Sequence, residues 1–83
     1  MGNSSFVKLM ENPVNSTLHF ACTNLKGDAI AQIISNDGNV KAQAKIFLSN
    51  NIQSISVDQL IAGYYYLLIY YQGNIYNVQF VKY

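Results

Sequence analysis

Between Asp58 and Lys82 the chain runs for twenty-three residues without one charged side chain, and six of those residues are tyrosine. The stretch is dominated by Val, Ile, Leu and Tyr, and β-branched and aromatic residues of this kind suit a pleated, half-buried surface. Gln72-Gly73-Asn74 interrupts it, so it reads as two strands, Tyr64–Tyr71 and Ile75–Lys82, joined by a turn. A long uncharged strand left on a sheet edge invites pairing with another chain. The hairpin is therefore expected in the middle of a sheet or under cover. Tyrosine offers a compromise there, with a large apolar ring and a hydroxyl that stays wet. Tyr64, Tyr66, Tyr70, Tyr71 and Tyr76 are the candidates for a flat aromatic surface.

The rest of the chain shows the same period. Ser16–Cys22 places Leu18, Phe20 and Cys22 on one face and Thr17, His19 and Ala21 on the other, an alternation of period two. Ala29–Ser35 puts Ala31 and Ile33 opposite Ile30, Gln32 and Ile34, and Val40–Phe47 runs back from it. Ile52–Val57 alternates as well, and Ser5–Met10 does so loosely. Turns separate these runs at Asn12-Pro13, Asn24–Asp28, Asn36-Asp37-Gly38-Asn39 and Ser49-Asn50-Asn51. Asp37-Gly38 suits a tight hairpin in which both central residues adopt positive φ. Asp58–Ala62 is too short for a stable helix. Strands spaced by roughly ten residues indicate an all-β sandwich of about seven antiparallel strands. Residues 6–83 form its single domain. Residues 1–5 are expected to be a disordered start or a remnant of expression.

Composition removes several functions. Of the residues, 11% are charged, with five Lys, no Arg and a net charge of +1. That leaves no basic footprint for nucleic acid and no forked donor for phosphate. No apolar run reaches the roughly 18 residues of a membrane-spanning helix. Residues 1–5 carry neither the basic start nor the apolar stretch of a signal peptide. His19 and Cys22 point to opposite faces of one strand, so they do not pair as base and nucleophile. Glu11, Asp28, Asp37 and Asp58 each fall at a turn or a strand end, where Asp bonds neighbouring backbone. No catalytic residues, no metal ligands and no cofactor are expected; a weak calcium site between loops is the lesser alternative. The chain reads as a binding or recognition module rather than an enzyme.

The order of its motifs resembles the type A C-terminal sorting domains of the type IX secretion system (the Por secretion family). Lys8-Leu9-Met10-Glu11-Asn12-Pro13-Val14-Asn15 resembles the family's opening strand and Asn-Pro turn, with Glu11 where the family has Pro. Thr17-Leu18-His19-Phe20 follows as the alternating strand. Ile33-Ile34-Ser35-Asn36-Asp37-Gly38-Asn39-Val40 resembles its hairpin, with Ser35 in place of Asp or Asn. Leu60-Ile61-Ala62-Gly63-Tyr64-Tyr65 fits its L-x-x-G-x-Y segment, and Phe80-Val81-Lys82 its closing F-x-K.

The resemblance implies an Ig-like Greek-key β-sandwich of about seven antiparallel strands, serving as a non-catalytic signal at the end of a larger cargo protein. The upstream cargo domains cross to the periplasm, and the folded domain is then recognised by the outer-membrane translocon. A sortase-like peptidase removes it in many members and leaves the cargo at the cell surface; other cargo is secreted. Pro13, Gly38, Leu60, Gly63, Tyr65 and Lys82 would carry recognition, structure or both. Gly38 and Gly63 are expected to serve the backbone and Leu60 the core. Lys82, the charge that ends the uncharged strand, is the first choice for a recognition contact, with an edge gatekeeper as its other reading. The alternative function is an Ig-like carbohydrate-binding or adhesive module that uses the tyrosine-rich face. An edge-to-edge dimer is a further expectation for the isolated chain.

Overall fold

The computed structural model describes residues 7–83. The start assigned to residues 1–5, and the first two residues of the run Ser5–Met10, lie outside the described residues. Seven strands follow in chain order: β1 (Val7–Leu9), β2 (Thr17–Cys22), β3 (Lys26–Ser35), β4 (Val40–Ser49), β5 (Ile52–Ser56), β6 (Gly63–Tyr71) and β7 (Asn74–Lys82). They form two antiparallel sheets, β1-β2-β5 and β4-β3-β6-β7. The chain crosses between the sheets after β2, β4 and β5, while β3-β4 and β6-β7 are hairpins within one sheet. This is the expected Ig-like Greek-key β-sandwich.

The inner faces are those that alternation selects. Leu18, Phe20 and Cys22 of β2 meet Ala31 and Ile33 of β3, Leu67 and Ile69 of β6, and Phe80 of β7 in one buried cluster. Period-two geometry sends every second side chain to this layer, and both sheets supply it. Met10 N–H donates to the His19 carbonyl (2.9 Å) and Val57 N–H to the Ser16 carbonyl (2.9 Å), so the ladder of the smaller sheet extends beyond its strands.

Two local expectations are corrected. The turn assigned to Asn24–Asp28 is shorter, because β3 starts at Lys26 and pairs Gly27 with Leu48 and Asp28 with Phe47. The 36–39 hairpin is not a two-residue turn on Asp37-Gly38. Gly38 N–H donates to the Ser35 carbonyl (2.9 Å) and Ser35 N–H to the Asn39 carbonyl (2.8 Å). Only Gly38 has positive φ (93°). A type I turn over Asn36-Asp37 followed by a left-handed glycine meets this pattern, and the ladder shifts register between Ile33 and Ile34.

The hairpin of β6 and β7 also differs from expectation in one respect. β6 lies inside its sheet between β3 and β7, but β7 is an edge strand. Among the described residues cover comes only at its end. Val14 N–H donates to the Val81 carbonyl (2.7 Å) and Tyr83 N–H to the Val14 carbonyl (3.0 Å), a short parallel bridge between Val14 and Lys82. The Asn12 side-chain oxygen accepts Val81 N–H (2.9 Å).

Phe80 is fully buried and its ring stacks on Tyr65 with centroids 5.7 Å apart. Phe80→Ala is expected to cost about 3–5 kcal/mol, and Ile33→Val about 0.5–1.5 kcal/mol. Urea denaturation of the two variants checks both values and their order.

Candidate functional site

The positions singled out in the sequence converge on one end of the sandwich. Ser35, which opens the Gly38 hairpin, stands opposite Tyr65 in the ladder. Tyr65 stands opposite Phe80, and Gly63 opposite Lys82. Lys82 bridges to Val14, next to Pro13. Residues from positions 13 to 82 therefore meet where the β3-β4 hairpin, the β5-β6 corner and the end of β7 lie side by side. The described chain enters at the opposite end, where Val7 pairs with Cys22.

Five of the six motif positions have an assignable structural role. Tyr65 is buried, and its hydroxyl donates to the Ile61 carbonyl (2.7 Å) four residues upstream. This is the tyrosine corner of Ig-like sandwiches, in which a ring in the core fixes the loop between sheets. Leu60 packs half-buried against the core, and its N–H donates to the Val57 carbonyl (3.0 Å). A Cβ at Gly38 or Gly63 would meet nothing within 4 Å, yet their φ values are 93° and 156°. Backbone angle rather than space calls for glycine at both positions.

Lys82 requires a correction. It is 6% exposed and shares the inward parity of Phe80, so it is not an exposed recognition contact. Its ammonium donates to the Tyr83 carbonyl (2.8 Å). The stem is buried and the head finds a partner at the chain's end, as long cationic side chains do beside apolar surface. Burial likewise removes the gatekeeper reading.

Between the hairpin and the corner lies a cleft of about 440 Å³, lined by Asp37, Lys41, Leu60, Ile61, Tyr64 and Tyr65 among others. Its rim is apolar and exposed: Ile61 is 80% and Tyr64 58% accessible. Its polar side is the hairpin. The Ser35 hydroxyl donates to the Asp37 carboxylate, and this bond holds the carboxyl below the usual carboxylate range. Desolvation opposes it as the next largest effect, and the N–H groups of Asn39 and Asp37 and the charge of Lys41 add to the lowering. The cleft thus offers an anion held by its own turn, a lysine and two apolar anchors. Neither Ile61 nor Asp37 carried a site assignment in the sequence; the signal was that Asp37 directly precedes Gly38 and Ile61 lies two residues before Gly63.

The tyrosines divide. Tyr64, Tyr66 and Tyr70 fall on the outer face of β6. Tyr71 and Tyr76 do not join them, which corrects the five-ring surface. Tyr71 lies on the inward parity and packs against the core. Its hydroxyl donates to the Lys26 carbonyl and accepts Lys26 N–H (3.2 Å). Tyr76 pairs with the buried Ile69 and is itself buried.

The remaining titratable groups are dispersed. Glu11 and His19 approach to 3.3 Å, an exposed pair of little energetic weight. Cys22 is buried on the other face of the strand from His19, and desolvation pushes its thiol up to about 11. Among the described residues no three His, Cys, Asp or Glu side chains gather to hold a metal ion. Comparison with family models, curated proteins and solved structures finds no match.

Two outcomes follow from this geometry. Tyr65→Phe keeps the ring stack and loses one hydrogen bond, so it is expected to cost about 1 kcal/mol in urea denaturation, whereas Tyr65→Ala costs about 3–5 kcal/mol. Ser35→Ala is expected to raise the Asp37 pKa toward the ordinary carboxylate value, read by NMR titration of the side-chain carboxyl. Because the folded value is the lower one, the hairpin is tightest with Asp37 ionised and loosens as pH falls through that lowered pKa.

Proposed function

We propose that the chain is a non-catalytic sorting module, read as a folded domain by the type IX secretion machinery and carrying an upstream cargo to the cell surface. The observation that carries this reading is the convergence of Pro13, Gly38, Leu60, Gly63, Tyr65 and Lys82 on one end of the sandwich. Their chain separation gives no reason for them to meet there unless that end is a unit. The resemblance to type IX sorting domains supplies the function.

Further support comes from orientation. The described chain enters β1 at the far end from the cleft and its rim. The rim pairs exposed apolar anchors with a few polar groups, the composition of a protein-docking patch. The carbohydrate-binding reading has less support, because two of the five rings turn inward and Leu68 separates Tyr66 from Tyr70 along the outer face.

A reporter bearing a periplasmic signal peptide and fused upstream of the chain tests the proposal in a type IX-competent host and in a sibling lacking the translocon. Surface delivery is expected in the first host alone. Ile61→Asp combined with Tyr64→Ala is expected to reduce it about tenfold or more, with the fold retained by circular dichroism. Ile52→Asp, an exposed position at the other end, is expected to leave delivery unchanged. A wild-type fusion that stays in the periplasm of the competent host overturns the reading.

A further inference from the structure

The sheet edges are not equally defended. Among the described residues β1 spans three and β5 five, too few to template much pairing. β4 carries the exposed Lys41 and Lys45, and the Gln53 side-chain amide donates to the Phe47 carbonyl (2.8 Å). β7 is nine residues long and uncharged up to the buried Lys82. The Asn12–Val14 segment occupies its outer side only at Val81 and Tyr83. Among the described residues no strand pairs with β7 on that side over 75–80.

The backbone parity of that edge is known from its covered part. Both the N–H and the carbonyl of Val81 are engaged away from β6. In an antiparallel ladder this orientation repeats every second residue, so Gln79, Asn77 and Ile75 aim their main-chain groups outward. The open segment is centred on Asn77, an outward-aimed residue. An edge whose centre is such a residue can pair antiparallel with itself about a twofold axis.

We infer that β7 is a homodimerisation edge, with Asn77 opposite Asn77 of a second copy and Ile75 opposite Gln79. This register supplies about six backbone hydrogen bonds. It brings no charged side chain against its like, since 75, 77 and 79 are Ile, Asn and Gln, and like charges directly opposite would oppose it. It also ends where it must. Val81, blocked by Asn12–Val14, falls opposite Gly73 of the second copy, where β7 has given way to the turn. The two four-stranded sheets join into one of eight strands, and the Tyr70–Ile75 row of one outer face continues into the Gln79–Tyr66 row of the other. The second copy is favoured over an unrelated peptide by this self-complementarity. The inference is independent of the sorting proposal.

Sedimentation velocity of the full chain over a concentration series is expected to show a monomer–dimer equilibrium. Asn77→Lys places two ammonium groups at the axis and is expected to weaken it about tenfold or more. Asn77→Pro removes an outward N–H that β6 does not use and is expected to do the same, so a folding defect in either variant leaves the other. Under mild oxidation Asn77→Cys is expected to form a disulfide-linked dimer, since residues directly opposite fall within disulfide reach. Gln79→Cys is not, because its counterpart lies several residues away. Overturning results are a chain monomeric throughout the series, a dimer indifferent to both Asn77→Lys and Asn77→Pro, or equal cross-linking at 77 and 79. A monomer that instead shields the Asn77 amide only when an extended peptide is added also overturns it.

Discussion

Tyr65 holds the corner on which the sandwich turns. Its ring lies in the core against Phe80, and its hydroxyl reaches back to the Ile61 carbonyl. One side chain thereby ties the middle strand of the larger sheet to the loop arriving from the smaller one. Fixing Tyr65 inward also fixes the parity of all of β6. Leu67 and Ile69 follow it into the core, while Tyr64, Tyr66, Leu68 and Tyr70 are assigned to the outer face. The same anchor sets where Ile61 emerges, and so shapes one wall of the cleft.

Low charge then has a cost at the edges. A chain with few ionised side chains cannot protect every strand with lysines. The ones it has on β4 are exposed, and Gln53 blocks a carbonyl beside them. At β7 the protection comes from backbone, in the bridge from Val14. That bridge joins the first part of the described chain to its last strand and clips the two sheets together. It stops short of the middle of β7, which leaves the longest uncharged edge of the fold half covered.

Much of this was legible in the sequence. Period-two alternation placed Leu18, Phe20 and Cys22 on the inner face, and the turn residues separated strands at nearly the right places. The outcomes that differed came from register, from turn geometry and from sheet order. Tyr76 read as a surface candidate, yet a two-residue loop at Gln72-Gly73 pairs Tyr71 with Asn74 and so sets Tyr76 opposite Ile69. The signal was present in the spacing, but it needed the inner face of β6 to be fixed first. Lys82 is the harder case. Its charge argued for solvent, and only its parity with Phe80 and the presence of a carbonyl partner at Tyr83 explain its burial. The sheet order was not legible at all, because nothing local in Ile75–Lys82 says which strand lies beyond it.

The roles of the motif positions bear on what a partner can read. Gly38 and Gly63 set backbone angles, Leu60 and Tyr65 fill the corner, and Lys82 is covered. Of the motif positions only Pro13 and Gly38 are exposed, and neither carries a polar side chain, so the pattern that unites them describes a shape more than a set of contacts. The groups that this shape presents are its neighbours: Asp37 and Lys41 on the hairpin, Ile61 and Tyr64 on the corner. A receptor for this end would find its geometry in the motif and its chemistry in these adjacent residues, which are free to differ between chains that keep the same corner. The two proposed surfaces can thus share one strand pair. The end of the sandwich is held rigid by the glycines and Tyr65, while the open side of β7 lies along its length and does not obstruct the cleft.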